Sequence, residues 1–136
     1  MYLVYQPEGQ TEPTRWRYNP RRLMTVERET IERLTGKNFS EFTGAVLQGN
    51  SSCRRALLYT FLRRDHPKIK YEDVEFFWDE LKLEYSKQEW EGMRDRAVAD
   101  LVGAERDQAL AQFEAEIAEA FDDPEEEGKA TLPIAD

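Results

Sequence analysis

Between Ser51 and Val74 the chain reads SSCRRALLYTFLRRDHPKIKYEDV. No other stretch limits the fold as strongly, because this one is dense in apolar residues and bounded at both ends. Ser51 or Ser52 can cap a helix N-terminus, and Cys53, Ala56, Leu57, Thr60, Phe61 and Leu62 recur at helical spacing. Arg63 and Arg64 fall in the last turn, where positive charge meets the negative end of the helix dipole. Pro67 then disfavours helical geometry at His66 and ends the element. A helix with such a stripe needs other elements to cover it, so the expected class is mainly α.

The flanking segments supply those elements. Tyr2–Tyr5 is aromatic and β-branched, and Thr14–Tyr18 alternates polar and aromatic side chains with period two. The loop between them, QPEGQTEP, carries two prolines and a glycine, which predicts a small N-terminal β-hairpin with Trp16 and Tyr18 turned inward or lying along the surface. A two-stranded ribbon is marginal in water, so it needs a helical partner or another subunit. One helix is expected from Thr25 to Gly36, with Leu23, Val26, Thr30, Ile31 and Leu34 inward. A short one follows over SEFTGAVLQG, capped by Asn38 or Ser40 and closed by Gly49-Asn50. After the central helix another is expected within KYEDVEFFWDEL, where Val74, Phe77, Trp78 and Leu81 make an amphipathic face and Phe76 stands off it.

At Ser86 the character changes. Ser86-Lys87-Gln88-Glu89 matches the capping box, in which serine and glutamate each satisfy a backbone donor. Trp90, Met93, Ala97, Leu101 and Ala104 follow at spacings of three and four, and Leu110, Phe113, Ile117 and Phe121 resume the pattern beyond Gly103. Glycine inside a helix costs about 1 kcal/mol relative to alanine, so one long helix and two helices hinged at Gly103 both fit. The narrow stripe suits packing back on the domain, pairing with a copy of itself, or receiving a partner's helix. Trp90, Met93, Leu101, Phe113, Ile117 and Phe121 are the candidate partner-binding residues. The closing DDPEEEGKATLPIAD is rich in acids, proline and glycine, which predicts a disordered tail. The expected organisation is a helical core with a β-ribbon over 1–85, a long or hinged helical extension over 86–122 and an acidic tail over 123–136. The fold class expected is mainly α, a compact helical domain of four to six helices with a small N-terminal β-hairpin, an acidic C-terminal helix and a disordered tail.

Charge divides the chain. Met1–Lys70 holds 13 Lys and Arg against 7 Asp and Glu, whereas Tyr71–Asp136 holds 6 against 21, within a net charge of -9. A basic half raises nucleic-acid binding, but its arginines are spread over several elements and the tethered acidic half competes with a phosphate backbone. Pairing of the two halves, or an acidic end reserved for a partner, accounts for the asymmetry better. No run of about 18 apolar residues occurs, and the N-terminus lacks the basic and apolar regions of a signal peptide. The expectation is a cytoplasmic protein without membrane contact.

Catalytic patterns are sparse. Cys53, the sole cysteine, lies on the apolar stripe and reads as a small buried hydrophobe. His66, the sole histidine, removes multi-histidine metal sites. The two lie 13 positions apart, roughly 20 Å along a helix, far beyond hydrogen-bond reach. Glycines are scattered singly, so no phosphate-cradling loop forms, and the many carboxylates lack the alternation and glycine of a calcium loop. Neither enzymatic activity nor a cofactor is expected.

From about Arg15 to Leu81 the chain resembles the small tail assembly chaperones of long-tailed bacteriophages, particularly those infecting actinobacteria. The pieces that carry the likeness are the strand RWRYNP, then RLMTVERETIERLTGKNFSEFTGAVLQGN, then SSCRRALLYTFLRRDHPKIKYEDVEF, with the acidic end after them. In the last piece an alanine-leucine helix runs into two basic residues, an acidic residue, x-Pro and a Glu-Asp-Val start. The resemblance implies a protein of the infected host's cytoplasm that binds the aggregation-prone tape measure protein. It also implies help in recruiting tail tube subunits and absence from the finished virion. Many such proteins are made in two lengths by ribosomal frameshifting near the end of the short form, and Gly128-Lys129 is compatible with a slippery codon run. Ser86–Phe121 departs from the compact members, which leaves the position of the partner surface open. The competing expectations are a regulatory or nucleic-acid-binding protein using Arg54, Arg55, Arg63 and Arg64, and a structural tail or connector component.

Overall fold

The computed structural model describes residues 1–123. The described residues divide into two compact units, Leu3–Leu83 and a second made of Met1–Tyr2 with residues 84–123. Five α-helices lie among the described residues, together with a small antiparallel sheet of three strands.

In the Leu3–Leu83 unit the sheet has the order β2-β1-β3, with β1 at Tyr2–Tyr5, β2 at Thr14–Arg17 and β3 at Leu81–Glu84, so β1 and β3 each run one residue past the unit's edge. Leu3 and Val4 are both buried although they point to opposite faces, so the central strand meets solvent on neither side. Helix α1 spans Thr25–Thr35, α2 spans Phe39–Leu47 and α3 spans Ser51–Asp65; α3 packs against both of the others. An aromatic column fastens the sheet to α3. Trp16 of β2 stacks on Tyr5 at 6.4 Å and on Phe61 of α3 at 5.6 Å, and Tyr18 meets Phe61 edge-on at 6.5 Å. The Tyr18 hydroxyl, taken out of water, is satisfied by Thr43 Oγ1 at 2.7 Å. Trp16 of β2 and Tyr18 just after it therefore face inward, and the hairpin has its helical partner.

Side-chain carboxylates and an amide start the three helices of this unit. Glu27 accepts from the Met24 amide at 2.9 Å, so the cap position of α1 is Met24 and Thr25 is the first helical residue. Glu32 accepts from the Phe39 amide at 3.0 Å and thereby ties the end of α1 to the start of α2. Asn50, not Ser51 or Ser52, caps α3, accepting from the Cys53 amide at 2.9 Å. The buried face of α3 is Cys53, Ala56, Leu57, Leu58, Thr60 and Phe61. Val26, expected inward on α1, is instead exposed; Thr30 and Ile31 carry the contact.

The helix expected within KYEDVEFFWDEL does not form. That segment contains 3-10 turns at Tyr71–Asp73 and Trp78–Glu80, and then β3. Arg55 of α3 takes the carbonyls that a helix would have used: its Nε donates to Val74 at 2.7 Å and its terminal nitrogen to Tyr71 at 3.1 Å. The aromatic and β-branched run suits an extended chain, and the Gln6 amide donates to Glu80 at 2.9 Å where the segment joins β1. Val74 and Leu81 stay buried, whereas Phe77 and Trp78 turn outward.

In the unit containing Glu84 onward, Ser86 caps α4 (Lys87–Val98) through the expected box. The Glu89 amide donates to Ser86 Oγ and the Ser86 amide to Glu89 Oε1, both at 3.1 Å. Glu89 also pairs with the Met1 ammonium group. The chain then breaks at Ala99–Val102 and resumes as α5 (Gly103–Glu119). Gly103 has a φ of 62°, a left-handed value that would strain a side-chain-bearing residue, which is why the stripe is split there into two helices. The helices fold back as an antiparallel hairpin, closed at its open end by the Lys87 backbone amide donating to the Phe121 carbonyl at 2.7 Å. Gln88 completes the closure by donating to Asp122 and accepting from the Asp123 amide. Asp123, assigned to the tail on sequence grounds, is buried; the remainder of that tail lies outside the described residues.

Candidate interaction surface

The six predicted partner residues all belong to the helical hairpin, and none is exposed. Trp90 meets Phe113 edge-on at 6.2 Å and Tyr85 at 5.4 Å, Phe121 meets Tyr2 at 5.3 Å, and Ile117 is buried. Met93 and Leu101 are half-buried. The structure thus brings Trp90 and Phe113 together across the seam. A partner engaging the whole set must open the hairpin or grip its half-buried edge. Beside the seam, Arg94 bridges the helices to Glu114 at 3.0 Å and bonds its neighbour Asp95 at 3.0 Å.

The arginines of α3 work mostly inside the fold. Arg54 donates to the Val46 carbonyl at 3.0 Å and lies over the Trp78 ring at 4.7 Å; burial lowers its pKa. Arg55 holds the Tyr71–Val74 turn and stacks on Tyr71 at 4.4 Å. Arg64 forks onto Glu27 with both bonds at 2.7 Å. Arg63 is exposed, 5.9 Å from the Tyr59 ring. Arg54, Arg55 and Arg64 are each held by carbonyls, a ring or a carboxylate, so their orientation is set by contacts within the fold. Between α1 and α3 lies a cleft of about 140 Å³, walled by Met24, Val26, Tyr59, Arg63 and the Glu27–Arg64 pair.

The surface that sequence patterning missed is the turn at Trp78–Glu80. Phe77 is 69% and Trp78 52% exposed, the two exposed aromatic side chains among the described residues. They do not sit on a loose loop. Glu80 clamps the turn through one carboxylate: Oε1 accepts from the Phe77 amide at 2.7 Å and Oε2 from the Glu8 amide at 2.6 Å. Trp78 lies beside Gly49, whose φ of 90° is a left-handed value; a Cβ there would meet the indole at 3.4 Å, ordinary van der Waals contact, so the backbone rather than the space calls for glycine. Beside Phe77 is a shallow concavity lined by Gln6, Glu8, Asp79 and Glu80. The signal available was the run of three aromatic residues Phe76-Phe77-Trp78, which turn about 100° per position on a helix and so cannot all centre on its buried face. Helical spacing put Phe77 and Trp78 on one face and concealed them.

Groups with catalytic potential are dispersed. Burial raises the Cys53 thiol pKa, against a smaller opposing effect of Lys37, and His66 is an exposed residue at the end of α3. Among the described residues no three His, Cys, Asp or Glu side chains are grouped so as to hold a metal ion, and no helix is long and apolar enough to cross a membrane. No protein-family model, curated protein or solved structure matches this chain.

Proposed function

We propose that the chain is a bacteriophage tail assembly chaperone, which holds the tape measure protein soluble in the host cytoplasm and promotes tail tube assembly around it. The observation that carries this reading is the ordered set of segments from Arg15 to Leu81, with their spacing and the acidic end that follows. Two physical features support it. The exposed aromatic turn offers apolar surface for a client segment, and the excess of acids beyond Tyr71 keeps a complex with an aggregation-prone client in solution. The protein acts by contact, with neither cofactor nor catalysis, and leaves before the virion is complete.

Co-production with the tape measure protein of the same phage tests the reading. The client should move from the pellet to the soluble fraction and co-purify, and purified virions should lack the chaperone. A client equally insoluble in its presence would overturn the proposal, as would stoichiometric incorporation into virions. Replacing Phe113 and Ile117 by Ser asks whether the hairpin takes part, either with the client or in self-association. Co-purification or oligomeric state should change while α1–α3 stay folded, and both unchanged would exclude the hairpin.

A further inference from the structure

We infer that the clamped turn around Phe77 and Trp78 is a docking site for a short segment of another protein in which aliphatic residues are flanked by lysine or arginine. Exposed aromatic rings on a turn fixed by its own hydrogen bonds are preorganised for binding, because little side-chain or backbone freedom is left to lose. Tryptophan and its aromatic neighbours are also the residue types that dominate interface energetics.

Size and charge define the occupant. The exposed parts of the two rings amount to roughly 250 Å², well below the approximately 800 Å² per partner of a stable protein–protein interface. This is a footprint for one or two turns of a helix or a short extended peptide, too small for a second folded copy. The surroundings are acidic. Between Lys70 and Lys82 the chain carries Glu72, Asp73, Glu75, Asp79 and Glu80, all but Glu80 exposed, and Asp79 and Glu80 line the concavity beside Phe77. Glu8, also exposed, lines the concavity beside Phe77. Arg54, which lies over the Trp78 ring, is bonded to the Val46 carbonyl. Aliphatic side chains would cover the rings while lysine or arginine to either side met the carboxylates, which also repel acidic segments. Such a segment need not come from a tape measure protein, so this inference can stand or fall separately from the phage reading.

The full chain can be titrated with a fluorescently labelled 18-residue amphipathic peptide of leucine and lysine, and with its leucine–glutamate counterpart. The lysine peptide should bind at micromolar concentrations, and raising salt from 50 to 300 mM should weaken it several-fold; the glutamate peptide should not bind. Replacing Phe77 and Trp78 by Ser leaves net charge unchanged and should weaken the lysine peptide at least tenfold. Phe77→Ser alone, which does not disturb the ring packed on Gly49, should give an intermediate loss with an unchanged melting temperature. Equal binding by wild type and Phe77→Ser at matched folding would reduce the effect to general attraction by an acidic protein and overturn the proposal. It would equally be overturned if the double variant's only change were loss of a dimer, making the occupant a second copy.

Discussion

Glu27 serves two structures with one carboxylate. Oε1 accepts from the Met24 amide and starts α1, while both oxygens receive the Arg64 guanidinium and hold α1 to α3. The Arg64 hydrogen bond, ahead of the smaller opposing effect of burial, sets the Glu27 pKa below the ordinary carboxylate value. A depressed folded-state pKa gives stability that is complete above the unfolded value, about pH 4.3, and lost as pH falls through the folded value. Arg64 is partly exposed, so the pair contributes no more than about 1 kcal/mol. Thermal melts of wild type and Glu27→Gln should therefore differ most near neutrality and converge under acid. A gap that widened below pH 4 would reverse the assignment. Arg55 matters more, because its forked donors satisfy carbonyls on a segment without a helical ladder. Arg55→Lys keeps the charge and loses the fork, and should cost roughly 1.5–3 kcal/mol in chemical denaturation.

Among the elements, those governed by local rules were legible in advance. The Ser86 capping box, the stop at Pro67, the glycine after α1 and the two N-terminal strands all depend on residues within a few positions of one another. Ser86→Ala removes an acceptor that is fully buried in the native fold and should lower stability by about 1–2 kcal/mol, seen as an earlier thermal transition in circular dichroism. The segment after α3 was illegible for the opposite reason. Its helical periodicity is real, but Arg55, nineteen positions upstream of Val74, captures its carbonyls, and β1 supplies a strand to pair with. Neither partner is visible in a local window. The same override moved the candidate surface, since the residues expected to lie in a helix interface became the exposed turn. The hinge at Gly103 was legible only as a choice between two outcomes, and the left-handed backbone decided it.

For the whole molecule, the division into two units gives the charge asymmetry a structural setting without making the charge halves and the units coincide. The charge boundary falls at Tyr71, while the change of unit comes after Leu83, so the acidic residues before β3 belong to a unit whose helices are rich in arginine. The three tryptophans sample this arrangement unevenly. Trp16 is stacked between Tyr5 and Phe61, Trp90 is held by Tyr85 and Phe113 in the hairpin, and Trp78 is half in water. The chain thus contains its own optical probes: one for the aromatic column, one for the hairpin seam and one for the outward turn. Emission from a variant retaining only Trp78 should be red-shifted and readily quenched by acrylamide, whereas variants retaining only Trp16 or only Trp90 should emit to the blue and resist the quencher. Unfolding each variant would then time the loss of one region by colour alone.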